Sequence, residues 1–397
     1  MLFFRDGRPM DSDKAQGENV RYIGHGAIWP RPDHLFKGAI HALLRETPDV
    51  DFGDFPALKV MGPYPVKREK SDPDVLYLPR PLDWDMSIEP CVDTDLPEFL
   101  EYGFIDRTEG KKKLPAWIAA SDFLKYLDPE RKDRGLYYED EKDDEGNARK
   151  DKDGNPIKTI KFPYSDGSLF GTESRIGTTL DPVTGASKRV KDQHASGQYQ
   201  GEYLRLQKGV SMWCAVETGS QGMANGALDA PELPRVFAMG GQGGMAIRQD
   251  TDIDLAKQFP APSVTVDADV FVRWTLIAPA SFHETGWLPG WCKDSRDIPD
   301  DQKKATGMVM FPDCDGCRLV GACTGKPSVF SGWDQKDGIK PTVLAVPQGS
   351  VYLFRCKGKA DAEALIKRLH LQRQSDYGPQ GYGIGVCSIV KPDEKNN

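Results

Sequence analysis

From residue 203 onward the chain reads as one short apolar strand after another, and that succession constrains the fold more than any other feature. Residues 203–216 alternate well enough for a long strand. Residues 236–239, 246–248, 270–278 and 350–355 follow, and 382–390 close the series. Alternation with a period of two is what a strand needs when one face is covered and the other is not. Residues 360–371 break the series with helical spacing, Leu365 and Leu369 standing one turn apart. A sheet with one or two helices on a face is an α+β layer arrangement, so the fold class expected here is α+β.

The first half is more mixed. Phe3-Phe4-Arg5-Asp6-Gly7-Arg8-Pro9 reads as an extended piece running into a turn, and 11–19 as loop. Residues 34–45 fit a helix with Phe36, Ile40, Leu43 and Leu44 on one face. Acidic, Pro-rich text fills 49–90, with short β-rich pieces such as 75–78. Residues 117–127 fit a second helix. Both charge signs crowd 139–161 around Asp153-Gly154-Asn155-Pro156, which suits a solvated hairpin. A hairpin-like arm spans 173–191 and carries Arg175, Lys188, Arg189 and Lys191. The domain boundary is placed before residue 203, giving domains 1–201 and 202–397.

The chain holds 52 Lys+Arg against 60 Asp+Glu, a formal charge of −8. A free-standing basic nucleic-acid module, with a pI above about 9, is therefore disfavoured. The 40 Gly and 30 Pro imply many turns rather than a helical bundle. No stretch reaches the roughly 18 apolar residues of a membrane helix, so no membrane partner is expected. Eight Cys in 397 residues do not make a dense disulfide framework, and the expected setting is reducing and cytoplasmic.

Three groups of residues bear on chemistry. Gly240-Gly241-Gln242-Gly243-Gly244 and Gly378-Pro379-Gln380-Gly381-Tyr382-Gly383-Ile384-Gly385 are glycine-rich loops beside strands. Glycine lets backbone N–H groups approach a phosphate, and it equally serves a tight turn with no ligand. Neither loop has the spacing of a Walker or dinucleotide-binding motif. Cys314 and Cys317 form a C-x2-C pair, with Cys323 after it and Cys292 before it; four thiolates suit a structural Zn site, and ordinary free Cys is the alternative. His25, His34 and His41 cluster around the first helix with basic neighbours, a setting for general acid–base work or for plain core and solvated histidines. No coherent catalytic set emerges, a profile that suits an RNA-binding subunit better than an enzyme.

Taken in order, the landmarks resemble one family, subunit three of the Cmr complex. That complex is the type III-B CRISPR effector, and the subunit belongs to the Cas-five-like group of the RAMP superfamily. The resemblance rests on Phe3 to Pro9, on Lys37-Gly38-Ala39-Ile40, and on Glu173 to Gly177. It rests further on Gly332-Trp333-Asp334 with Lys340-Pro341, on Val346-Pro347-Gln348-Gly349-Ser350-Val351-Tyr352, and on Gly381 to Gly385. Two departures stand out. Only Met1-Leu2 precede Phe3 where family members have a first strand, and Met245 follows Gly244 where an Arg is expected, with Arg248 later.

The resemblance implies two ferredoxin-like (RRM-like) domains with glycine-rich loops and a β-hairpin thumb at 173–191. It implies a non-catalytic subunit binding the 5′ tag of the crRNA. The partners implied are the large polymerase-like CRISPR subunit, the backbone RAMP subunits and, indirectly, target RNA. The RNA-binding residues it implies are Arg5, Arg8, Lys37, Gly38, Arg175, Lys188, Arg189 and Arg248. Backbone and loop contacts would come from Gly241, Gly243, Gly244, Gly381, Tyr382, Gly383 and Gly385. The alternative is a metal-independent endoribonuclease acting on guide precursors, with His25, His41 and Lys37 as candidate acid–base groups.

Overall fold

The computed structural model describes residues 1–4, 22–24, 26–46, 58–68, 73–91, 97, 99–106, 114–129, 138–140, 142, 145–150, 154, 156, 158–160, 162–178, 184, 198–218, 233–241, 243–283, 286–292, 307–331, 333–334, 338–339 and 341–392. In chain order the elements begin with β1 (Tyr22–Gly24), α1 (Pro32–Glu46), β2 (Leu58–Lys67), β3 (Val75–Pro79), β4 (Met86–Pro90), β5 (Tyr102–Asp106), β6 (Trp117–Ala119), α2 (Ala120–Leu127), β7 (Tyr138–Asp140) and β8 (Lys158–Ile160). They continue with β9 (Phe170–Thr178), β10 (Gln198–Leu206), β11 (Val210–Thr218), β12 (Val236–Ala238), β13 (Met245–Ile247), α3 (Leu255–Gln258) and β14 (Val270–Leu276). The last are β15 (Cys317–Cys323), β16 (Ser328–Phe330), β17 (Trp333–Asp334), β18 (Gly338–Ile339), β19 (Val343–Ala345), β20 (Val351–Cys356), α4 (Lys359–Leu369) and β21 (Gly385–Val390). The class is α+β, as the strand succession implies.

Two four-stranded antiparallel sheets carry the molecule. One has the order β11-β2-β3-β6 and the other β15-β20-β14-β21. In the second, β14 and β20 are central, and α4 lies between β20 and β21 in the chain. The buried face of α4 (Ala362, Leu365, Ile366 and Leu369) packs with Val272, Trp274, Leu319 and Phe354. The other face of that sheet is also covered. Leu353, Val320 and Val390 cluster with Ile88, and Tyr102 and Phe104 pack against them. The β4–β5 hairpin, contributed by the first half of the chain, thus closes the second sheet. Both faces being dry explains why β20 reads as a nearly continuous apolar run.

A third sheet, β1-β10-β9, pairs β1 parallel to β10 and β10 antiparallel to β9 along its whole length. Leu2 also bridges Leu204, each backbone N–H donating to the other's carbonyl, and Phe3 bridges Gly241; of the extended piece expected over 3–9, residues 5–9 lie outside the described residues. The charged segment 139–161 forms the paired strands β7 and β8, with bridges Lys142 to Ala148 and Lys150 to Pro156 inside them.

Where expectation and structure differ, the chain's punctuation explains it. Residues 203–216 are two strands, because the turn at Gln207–Gly209, with Gly209 at positive φ, reverses the chain. The boundary placed before residue 203 falls inside β10, and β11 joins β2 in the first sheet. Residues 117–127 divide into β6 and α2. Strand β2 has no clear signature in the sequence because Gly62, Pro63 and Pro65 look like strand breakers. It nonetheless pairs with β11 through a bulge in which Gly62 and Pro63 of β2 stand opposite Cys214 alone, between the pairs Trp213–Tyr64 and Ala215–Met61.

Candidate nucleic-acid interface

Helix α1 begins at Pro32, whose missing N–H costs nothing at a first helical position. Its buried face is Leu35, Ala39, Ile40, Ala42 and Leu43, so its first turn is fixed against the rest of the chain. Asp33 lies in that turn and is buried. It accepts from Arg31 Nε at 3.0 Å, from Lys37 Nζ at 3.0 Å and from the Tyr382 hydroxyl at 2.9 Å. Burial works against the Asp33 carboxylate. The groups of His34, Arg31 and Lys37 around it outweigh burial and hold it well below the usual carboxylate range. His34 is half-buried beside Phe4, and its Nδ1 accepts from the Arg31 backbone N–H at 3.1 Å. Burial lowers its pKa to about 4, with Asp33 opposing, so the imidazole is neutral at physiological pH.

This cluster gathers Lys37, Gly38 and Tyr382 of the expected RNA contacts into one region. Lys37 is exposed and is ion-paired with Asp33. Gly38 lies on the face that meets Phe237, Ala238 and Met239. Tyr382 is fully buried, which places its ring inside the chain rather than on a surface. His41 is exposed on the same helix.

Both glycine loops are occupied by the protein itself. The Gly241 N–H donates to the Phe3 carbonyl at 2.8 Å, and Gly240, at φ +76°, stands so close that a Cβ would meet the same oxygen at 2.6 Å. Gly244 backs onto the Met239 carbonyl, while Gly243 is open. In the second loop Gly381 rests against Pro32 and Val60, Gly383 against Gln374 and Ser375, and a methyl at Gly385 would overlap the Trp274 indole. At these positions, Gly243 apart, glycine serves close packing of chain on chain.

Arg175 stands apart, on the exposed face of β9–β10. Its Nε donates to Glu173, which also accepts from Arg205 at 2.9 Å, and its guanidinium lies 5.8 Å from the Tyr203 ring centroid. Exposed pairs of this kind contribute little to stability, so both guanidinium groups remain at the surface. Arg248 turns inward, donating to the Leu233 carbonyl and lying 3.6 Å from Asp250. Arg5, Arg8, Lys188, Arg189 and His25 lie outside the described residues.

The four candidate zinc ligands are not brought together. Cys317 and Cys323 are the two ends of β15, about 20 Å apart in an extended strand. Cys323 faces Met86, its sulfurs 3.9 Å apart, and Cys292 bridges Val309. Cys317 keeps Cys314 as a side-chain hydrogen-bond partner and also meets Cys356 on the neighbouring strand, Sγ to Sγ 3.1 Å. Among the described residues no group of three or more His, Cys, Asp or Glu is disposed to hold a metal ion.

The sequence left a further set unmarked. His283, Tyr377 and Phe330 form a run of rings beside Tyr382, with His283 Nε2 3.0 Å from the Tyr377 hydroxyl. They come from three separate loops and strands, so no local motif announces them.

Comparison with known proteins gives one family match. The family described as CRISPR-associated protein (Cas_Cmr3) matches residues 1–386. Two similar solved structures are the cryo-EM structures of the Type III-B Cmr-beta bound to cognate target RNA and of the same assembly bound to cognate target RNA and AMPPnP. The first is 15% identical with a TM-score of 0.41, covering 96% of this chain and 92% of that one. The second is 15% identical with a TM-score of 0.37, covering 92% and 86%. No curated protein matches.

Proposed function

Because the chain belongs to the Cmr3 family of CRISPR-associated proteins, we propose that it is a non-catalytic subunit of a type III-B effector complex that holds the 5′ tag of the crRNA. It would join the large polymerase-like subunit to the backbone subunits in the cytoplasm. The observation that carries this reading is the family match across residues 1–386, which takes in the ordered motifs from Phe3 to Gly385.

Local features support it. The strand order β15-β20-β14-β21, with α4 before the last strand, suits a ferredoxin-like second domain. The first sheet runs β11-β2-β3-β6, a different order, and Leu2 forms a single bridge to Leu204 of β10. The antiparallel pair β9–β10 would be the base of the thumb, and Lys188 and Arg189 fall in the sequence between these two strands. Arg5, Arg8, Arg175, Lys188 and Arg189 would contact phosphates, and Lys37 would add charge at α1. Since the two glycine loops pack on the chain itself, they would shape this surface, with Gly243 the open position.

The test is RNA binding by the full chain as a function of salt. Reversing Lys188 and Arg189 to Glu removes two phosphate contacts, and the log–log salt slope on single-stranded RNA drops by about 1.4. An unchanged slope and affinity contradict the thumb assignment.

A further inference from the structure

The run of rings beside Tyr382 has a feature that ordinary core packing does not require: it climbs from the interior to the solvent. Tyr382 is fully buried and fixed by its bond to Asp33. Phe330 stacks on it at 5.2 Å with an interplanar angle of 28° and is half-buried, as is Tyr377, which meets Phe330 edge-on at 5.8 Å. His283 meets Tyr377 at 5.3 Å and is exposed.

The outer members are held in place by bonds that do not use the ring faces. The Ser281 N–H donates to Ser375 Oγ at 2.9 Å, and that hydroxyl returns a bond to the Ser281 carbonyl at 3.1 Å. Asp376 accepts from the His283 backbone N–H at 2.8 Å. Two loops are thereby clamped side by side, which presents Tyr377 and His283 in a fixed geometry. Arg31 adds a guanidinium 5.5 Å from the Phe330 centroid. Pre-positioned rings that reach solvent beside a guanidinium are what unpaired nucleotides stack on, because every base has an apolar face and no sequence match is needed.

The geometry points to a stacking ledge for unpaired RNA bases, formed by His283, Tyr377 and Phe330. The inference rests on the guide-RNA reading above and deepens it by assigning base contacts to residues which no motif marks. Phosphates are held elsewhere: Asp376 disfavours an anion at the ledge itself, so the contact is to bases.

The experiment uses the full chain at low salt and short single-stranded RNAs carrying 2-aminopurine at successive positions from the 5′ end. The wild type quenches the fluorophore at one or more positions. His283→Ala and Tyr377→Ala relieve the quenching and weaken binding roughly 5- to 150-fold, the range for one lost stacking contact, with the salt slope unchanged. Tyr377→Phe, which keeps the ring, keeps the quenching. His283 is exposed, so its variant reports on the ledge even where Tyr377→Ala disturbs folding. Unaltered affinity and quenching in the His283 and Tyr377 variants, with binding still weakened by reversal of Lys188 and Arg189, overturn the ledge and leave the guide-RNA reading standing. A reduced salt slope in His283→Ala makes the contact electrostatic and also overturns stacking. Failure of the wild type to bind any RNA removes both.

Discussion

The guanidinium carbon of Arg273 lies 3.7 Å from the centroid of the Tyr126 ring, the two residues coming from β14 and from the last turn of α2. Arg273 also donates to the Tyr126 carbonyl at 2.7 Å and to Ser388 Oγ at 3.1 Å, and its Nη1 is 3.4 Å from Asp83. The Tyr126 hydroxyl donates to Asp83 at 2.6 Å. A buried, hydrogen-bonded ion pair therefore joins the first half of the chain to the second sheet. Breaking one partner of a buried pair leaves the other charge uncompensated, at a cost of about 3–5 kcal/mol. Asp83→Asn is expected to destabilise by an amount of that order in urea unfolding. The double variant with Arg273→Met is expected to lose much less than the sum of the two single variants. Additive losses contradict a coupled network.

Two histidines whose pKa is lowered in the folded chain set a pH dependence. His34 is held neutral with a pKa of about 4 against an ordinary 6.5, and burial lowers His370 as well. His370 Nδ1 accepts from the Cys387 N–H, and its Nε2 reaches the Phe259 carbonyl at 2.9 Å. Below pH ~6.5 the unfolded chain takes up protons that the folded chain does not, so stability falls as pH drops. It is fully present above that value and declines towards pH ~4, by about 3 kcal/mol for His34. The melting temperature should follow that course, and His34→Asn, which keeps an acceptor but cannot titrate, should flatten it.

Gly385 is expected to tolerate no side chain. A methyl there overlaps the Trp274 indole, which is wholly buried in the second core. Gly385→Ala should cost about 1–3 kcal/mol, the range for overpacking. Gly243→Ala meets no atom within 4 Å but sits at φ +71°, and should cost about 1 kcal/mol. Thermal unfolding of the two variants separates the cases.

Much of the second half was legible because local periodicity and burial agree there. Strands β14 and β20 and helix α4 lie within a few residues of the expected 270–278, 350–355 and 360–371. Pairing between distant segments was not legible. Nothing local in Ile88 or Tyr102 announces that their hairpin covers Leu353 and Val320. The glycine loops are ambiguous in sequence for a physical reason: the pattern that would admit a phosphate equally admits the Phe3 carbonyl that the Gly241 N–H meets here. Cysteine spacing says little about distance: Cys317 and Cys323 are near in sequence and far apart along an extended strand, while Cys356 reaches Cys317 from 39 positions away.

Cys323 supplies a simple check. Its distance from Cys317 along β15 exceeds what a zinc ion with bonds of about 2.3 Å can span. Cys323→Ser should leave the metal content of the purified protein unchanged. A loss of bound zinc in that variant would contradict the strand geometry.

The central claim, that this Cmr3-family chain holds the 5′ tag of a guide RNA, is tested most directly by sequencing the RNA that co-purifies with it in its assembled complex. The expected result is a population of short RNAs that share one constant 5′ sequence and diverge downstream. RNA with heterogeneous 5′ ends, or a complex free of RNA, would contradict it.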